Sequence, residues 1–420
     1  MPNFVSDLSL SLLLITGFAL FARFYSRRHG LSILPSIAIG PLLIIVGLLL
    51  YLPGSPLFIP SDGIYYQSWG FQISEAWTSG LKSEAPIIWP GKVFWPLIIA
   101  IFHYLFGPIS VALIVFNAVC VLLATLILQK ATKLLTGRSP RWSITFLLVT
   151  WSPLFLFGPS MLREAIFWLG TSLGVLSIAY LAQRFTLSGV LSLAGSGALL
   201  LAIRPDAGVV FLYGFTSIGL VIIGLHNGAR NRKRLVVTGL ALLLLLASAP
   251  HVMTWISPII EREGDHVGGW RENLAEPGVT TAVTTLPVCD LVGLSDFSGS
   301  GFLTSLACGA ASSLPAALFG PFWWEINASP QWLLLVASTV HFWLLCALSA
   351  IFLTRRENRD SSTLGLVFLS GLSLALFAAI MTNYGLLFRF RVATEIFLIP
   401  IAASALMQWA HRRDLFAKKS

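Results

Sequence analysis

The stretch ISVALIVFNAVCVLLATLILQ, residues 109–129, decides the fold class. It runs for twenty-one residues without a charged side chain. As a helix it covers about 30 Å, the thickness of a bilayer's hydrocarbon core. It is apolar all round rather than along one stripe, so an amphipathic surface helix is excluded. Lys130, Lys133, Arg138 and Arg141 follow at once. Runs of the same kind occupy residues 31–52 and 331–353. In lipid every backbone polar group must be bonded internally, which leaves helices or a closed barrel. The alternating pattern of barrel strands is absent, and helices follow.

The whole composition agrees. Of 420 residues, 56% are hydrophobic and 11% charged, and the mean hydropathy is +0.82. A soluble domain carries roughly 25% charged residues. So few charges cannot cover a water-facing surface of this size, and most of the surface faces lipid. The net charge of +9 is unevenly spread. Most Lys and Arg fall in loops on one side, around Arg27, Lys133, Arg184, Arg232, Arg356 and Arg413. The acids on that side are Glu357, Asp360 and Asp414. The positive-inside rule makes it the cytoplasm. The basic balance is therefore a topology signal, and no nucleic-acid partner is implied.

The expected fold is all-α and polytopic, with about eleven transmembrane helices at 8–25, 31–52, 109–130, 143–158, 164–182, 188–203, 208–225, 235–250, 331–353, 362–381 and 392–409. The first run lacks the basic region of a signal peptide, with Asp7 the charged residue ahead of it, so it reads as a retained span. Residues 1–420 form a single multi-pass domain of the plasma (cell inner) membrane, its N-terminus outside and its C-terminus cytoplasmic. The outer side receives two large loops, at about 53–92 and 251–330. Trp95–Phe106 has only 12 residues, about 18 Å as a helix. Phe302–Phe319 is interrupted by Pro315. Either one crossing alone would invert the later loops, so both read as interfacial or re-entrant helices. Cys120 and Cys346 lie in apolar runs and pack as small hydrophobes. Cys289 and Cys308 share the second outer loop, where an oxidising compartment would let them bridge.

Ionisable residues gather on the outer side. In the first loop, Asp62, Tyr66, Trp69 and Ile73 share one helical stripe,. A carboxylate beside aromatic rings suits a base acting on a sugar hydroxyl while the rings stack on the sugar face. The same residues also fit a helix cap and an interfacial aromatic belt. Glu75 and Glu84 lie in the same loop. Arg163, Arg204, Arg389 and Arg391 stand at the outer ends of three separate hairpins. Charges at such depth must be paired or line a wet cavity. Arginine binds phosphate oxygens through a bidentate fork, while local pairing with Glu164 and Asp206 fits the same sequence. The 261–266 stretch, Glu-Arg-Glu-Gly-Asp-His, holds metal-ligand types without a metal spacing. Trp255, Trp270, Trp323 and Trp324 suit loop anchoring or glycan stacking, and Asn327-Ala328-Ser329 fits a glycosylation acceptor.

Several motifs then follow in a fixed order. After the outer-loop Asp and Tyr come Trp89-Pro90-Gly91-Lys92-Val93-Phe94-Trp95-Pro96, then Tyr104-Leu105-Phe106-Gly107, Thr136-Gly137-Arg138, Pro153, Leu162-Arg163-Glu164, and finally Arg389-Phe390-Arg391 before an apolar helix with Pro400. In that order the chain resembles the GT-C membrane glycosyltransferases, especially the bacterial branch of protein mannosyltransferases and lipid A aminoarabinose transferases. The resemblance covers roughly residues 31–225 and the last two spans. It implies an inverting transferase that takes a sugar from a polyprenyl-phosphate donor to a glycan, lipid or protein acceptor of the cell envelope. Asp62 matches the catalytic acid of the first outer loop, and the outer arginines would serve the donor phosphate. A single Asp stands where the family carries a tight acidic pair, which leaves a divalent metal cofactor open. A polysaccharide polymerase would need nearly the same charges. A lipid-linked glycan transporter or flippase would instead favour ionisable residues at the midplane and matching halves, and a non-enzymatic assembly protein would use the loops as binding surfaces.

Overall fold

The computed structural model describes residues 4–52, 63–79, 93–226, 302–320, 330–380 and 384–417, with short helical pieces between 238 and 248. Among the described residues the chain is all-helical, without a strand. The helices are α1 (Phe4–His29), α2 (Leu34–Tyr51), α3 (Gly63–Ser79), α4 (Phe94–Phe106), α5 (Val111–Thr136), α6 (Arg141–Val149), α7 (Ser152–Phe157), α8 (Glu164–Gln183), α9 (Leu187–Ile203), α10 (Pro205–His226), α11 (Phe302–Phe319), α12 (Pro330–Leu353), α13 (Ser361–Ile380) and α14 (Tyr384–Ala417). Eight of them, α1, α2, α5, α8, α10, α12, α13 and α14, are long and apolar enough to cross a membrane. This is a multi-pass membrane architecture.

The ends of the helices fix the directions of the chain. At one end His29 closes α1, and Lys130 and Lys133 lie in the last turns of α5. Lys130 Nζ sits 3.1 Å from His29 Nδ1, and Lys133 Nζ donates to the His29 carbonyl at 2.7 Å. At the other end the Asp7 carboxylate accepts the backbone N–H groups of Ser110, Val111 and Ala112 at 2.9, 3.0 and 2.7 Å. Those are orphan donors at the start of α5. The Ser110 side chain makes no cap bond, so α1 supplies the cap that α5 lacks, with its negative charge at the positive end of the helix dipole. α1 and α5 therefore run parallel. α2 crosses back between them, and α3 with α4 makes no net crossing, as expected for the segment 95–106. Asn358 and Gln408 bond each other at the basic end, where α12 and α14 both finish.

α5, α8 and α14 form the centre, with 72%, 78% and 78% of their apolar windows buried, against 22% for α1 at the periphery. The span expected at 143–158 is two helices. Trp151 has extended backbone (φ −89°, ψ 90°), and Pro153 opens α7. Proline has no N–H to continue the ladder of α6 but suits a first turn. Half of the span expected at 235–250 lies outside the described residues, and that at 188–203 is the 17-residue α9.

Candidate functional site

Opposite the basic end, the turn between α7 and α8 runs through Pro159, Ser160, Met161 and Leu162 without regular structure. Irregular backbone at this depth needs protein partners for its polar groups. Side chains from three helices provide them. Tyr51 of α2 donates to the Leu156 carbonyl. Trp95 of α4 donates to the Met161 carbonyl at 2.9 Å. Asn117 of α5 donates to the carbonyls of Ser160 and, at 2.9 Å, Leu162. α3 begins against the same turn. A Cβ on the buried Gly63 would lie 2.8 Å from Met161 Cβ and 3.1 Å from its carbonyl. Only a residue without a side chain permits that approach.

The turn delivers Arg163 and Glu164 to the start of α8, beside Arg204 at the end of α9. Their relative exposures are 6%, 3% and 6%. Arg204 Nη2 lies 3.2 Å from Glu164 Oε1, and its guanidinium is 6.0 Å from the Phe167 ring centroid. Arg163 Nη1 donates to the Ile203 carbonyl at 2.8 Å. The helix dipoles favour this order, a carboxylate in the first turn of α8 and guanidiniums at the carbonyl end of α9. Among the described residues, two guanidiniums stand beside one carboxylate. The Asp206 side chain lies outside the described residues.

Arg391 is wholly buried and its described bonds go elsewhere. Nη2 donates to the carbonyls of Ala316, Ala317 and Gly320, at the carbonyl end of α11, and Nη1 to Thr339 Oγ1 at 2.7 Å. Its guanidinium lies 5.4 Å from the Phe342 ring. A cation there satisfies orphan carbonyls and the negative end of a helix dipole. Arg391 thus pins α11 to α12 and α14. The side chain of Arg389, one turn-half earlier in α14, lies outside the described residues.

Asp62 also lies outside them, as do Glu84, the 261–266 stretch, Cys289, the side chain of Cys308, Asn327 and Trp255, Trp270, Trp323 and Trp324. Tyr66 is buried and meets Trp69 edge to face at 5.6 Å between ring centroids, with Trp69 packed on the core. Glu75 is exposed. Among the described residues no three His, Cys, Asp or Glu side chains converge as a metal set.

One polar group escaped the sequence reading. Glu395 of α14 and His341 of α12 are both buried, with Glu395 Oε2 3.8 Å from His341 Nδ1. Trp151 donates its indole N–H to Glu395, and His341 Nε2 lies 2.9 Å from the Leu147 carbonyl. The break between α6 and α7 is what turns Trp151 toward Glu395. Trp151 stacks between Trp168 and His341, each 6.0 Å away. An ionisable residue inside an apolar span was the available signal.

No family model, curated protein or solved structure matches the chain.

Proposed function

We propose that the protein is a membrane glycosyltransferase that moves a sugar from a polyprenyl-phosphate donor to an envelope acceptor at the end of the bundle opposite the basic loops. On this reading the chain crosses the membrane about eleven times in a GT-C-like arrangement, with the basic end in the cytoplasm. The observation that supports it most is the Arg163–Glu164–Arg204 group and its neighbour. The turn carrying Arg163 abuts Gly63, the residue that follows Asp62 in sequence, which supports a reading with the arginines and Asp62 in one site.

The chemistry is balanced by those parts. An acceptor oxygen bonds to the anomeric carbon as the carbon–oxygen bond to phosphate breaks. The polyprenyl phosphate leaves with the bonding pair, and Asp62 takes the hydroxyl proton. A phosphomonoester has a second pKa of about 6, so no strong acid is needed. The developing charge does need cations. Arg163, Arg204 and Arg389 serve it, while Arg391 holds α11 in place. Tyr66 and Trp69 supply the aromatic surface for the sugar.

The test is release of polyprenyl phosphate from a panel of labelled polyprenyl-phosphate sugars by protein in nanodiscs, with envelope lipid and glycan extract as acceptor. Release that depends on Asp62 supports the reading. The absence of release with every sugar overturns it.

The Glu395–His341 pair favours one other reading, a lipid-linked glycan transporter. Both residues are buried within apolar spans, Glu395 in Arg391–His411 and His341 in Val336–Leu353, and ionisable groups inside spans mark transport paths. Movement of an intact lipid-linked glycan across liposomes, with no release of lipid phosphate, would select it.

A further inference from the structure

The basic end carries a cavity unrelated to the outer site. It lies between the end of α5, the turn after α12 and the last turns of α14, with a volume of about 440 Å³. Arg138, Arg355 and His411 line it together with one carboxylate, Glu357, and Leu135, Phe352 and Met407 add apolar surface. The reciprocal Asn358–Gln408 hydrogen bonds, at 3.4 and 3.2 Å, hold one wall together. The cavity is therefore braced by the protein's own contacts.

The neighbouring cations have other tasks. Arg359 donates to the carbonyls of Leu353 and Thr354 at 2.7 and 3.5 Å and so caps α12. Lys133 binds the carbonyls of His29 and Gly30. Among the described residues the Arg138 guanidinium has no partner and the ion pair of Arg355 is with Glu357, at 3.6 Å, with the Glu357 side chain 71% exposed. An exposed pair of that kind contributes little. Two guanidiniums thus keep donors for an anion at the mouth of a partly apolar cavity. Guanidiniums match phosphate oxygens in a bidentate fork, and basic recesses between transmembrane helices suit anionic head groups.

We infer that this cavity is a binding site for the phosphate head group of an anionic phospholipid in the leaflet facing the basic end. Arg138 and Arg355 take the phosphate diester, and Leu135, Phe352 and Met407 take the glycerol backbone and the upper part of an acyl chain. A free phosphate ester shares the charge and has no use for that apolar surface.

The experiment is native mass spectrometry of the full chain in detergent, titrated with phosphatidylglycerol or phosphatidylcholine. Wild type should retain phosphatidylglycerol in preference. Arg138→Ala with Arg355→Ala should weaken that retention by about tenfold or more. Arg138→Glu, at an exposed position, should remove it while the unfolding temperature of lipid-free protein stays unchanged. Arg27→Ala with Arg28→Ala removes the same charge elsewhere at this end and should leave retention intact. Equal loss in that control pair, or no loss in the cavity variants, overturns the site. Competition by glycerol phosphate as effective as by the lipid overturns the lipid assignment.

Discussion

Arg204 and Glu164 form an ion pair with an N–O separation of 3.2 Å and side-chain exposures of only 8% and 4%. Buried pairs are weakly stabilising as pairs but costly to break, because one partner is left charged and undersolvated. Arg204→Ala should therefore destabilise the protein by about 3–5 kcal/mol. Glu164→Gln combined with Arg204→Met should lose less than the sum of the single changes, with a coupling of about 1–3 kcal/mol. Unfolding of the four proteins in mixed detergent micelles measures the cycle, and additivity would show that the contact is energetically silent.

The Trp151–Glu395 bond gives a second expectation. Trp151→Phe keeps an aromatic ring between Trp168 and His341 but removes the only described donor to Glu395. A buried acceptor that loses its donor costs about 1–3 kcal/mol. The loss should shrink in a Glu395→Leu background, where no carboxylate remains to be satisfied. An equal loss in both backgrounds would assign the effect to ring packing.

The long spans were legible because each is uniformly apolar for the length of a bilayer, a property that no tertiary contact has to supply. The same uniformity hid the break at Trp151, since residues 143–158 stay apolar through it and only Pro153 marks the point. Asp7 was read for the bases it lacks around it, and its three N–H partners lie more than a hundred residues away. The positions of Arg163 and Arg204 at hairpin ends were readable, and so was local pairing; the described partner of Arg204 is Glu164 on the preceding helix, and the Asp206 side chain lies outside the described residues. The role of Arg391 was not readable. Its partners are carbonyls of α11, and a carbonyl leaves no trace in a side-chain pattern. His341 and Glu395 were visible as ionisable residues within spans, but their meeting depends on how α12 and α14 pack.

Sidedness gives a third expectation. α1 and α5 run parallel, and the basic loops around Lys133, Arg355 and His411 share one end of the bundle. The positive-inside rule places that end in the cytoplasm. In a background lacking the four native cysteines, a Cys replacing Asp265 should react with an impermeant maleimide from outside. One replacing Lys419 should react only after permeabilisation. The opposite pattern would place Asp62 and the Arg163–Arg204 group on the cytoplasmic side and remove the basis for an outer transferase.

The last expectation separates base from phosphate ligand. Loss of a positioned base typically lowers the rate by about 10²–10⁴-fold. Asp62→Asn should therefore abolish most transfer and leave donor affinity nearly unchanged, because in the proposed mechanism that carboxylate acts on the acceptor hydroxyl. The phosphate is bound in the ground state and gains charge in the transition state, so weakening its ligands should raise KM and lower kcat together. Arg204→Ala is a poor probe of this, since the same change breaks the Glu164 pair and lowers stability. Arg163→Lys is the better one. It keeps the charge and loses the bidentate fork, and it leaves both partners of the Arg204–Glu164 pair in place. Donor binding by equilibrium titration and transfer by single-turnover release of polyprenyl phosphate give the two quantities. If Asp62→Asn weakens binding as much as it slows transfer, Asp62 contacts the donor and some other group takes the proton. Full activity in Asp62→Asn removes it from the mechanism altogether, and a donor affinity unmoved by Arg163→Lys removes Arg163 from the phosphate site.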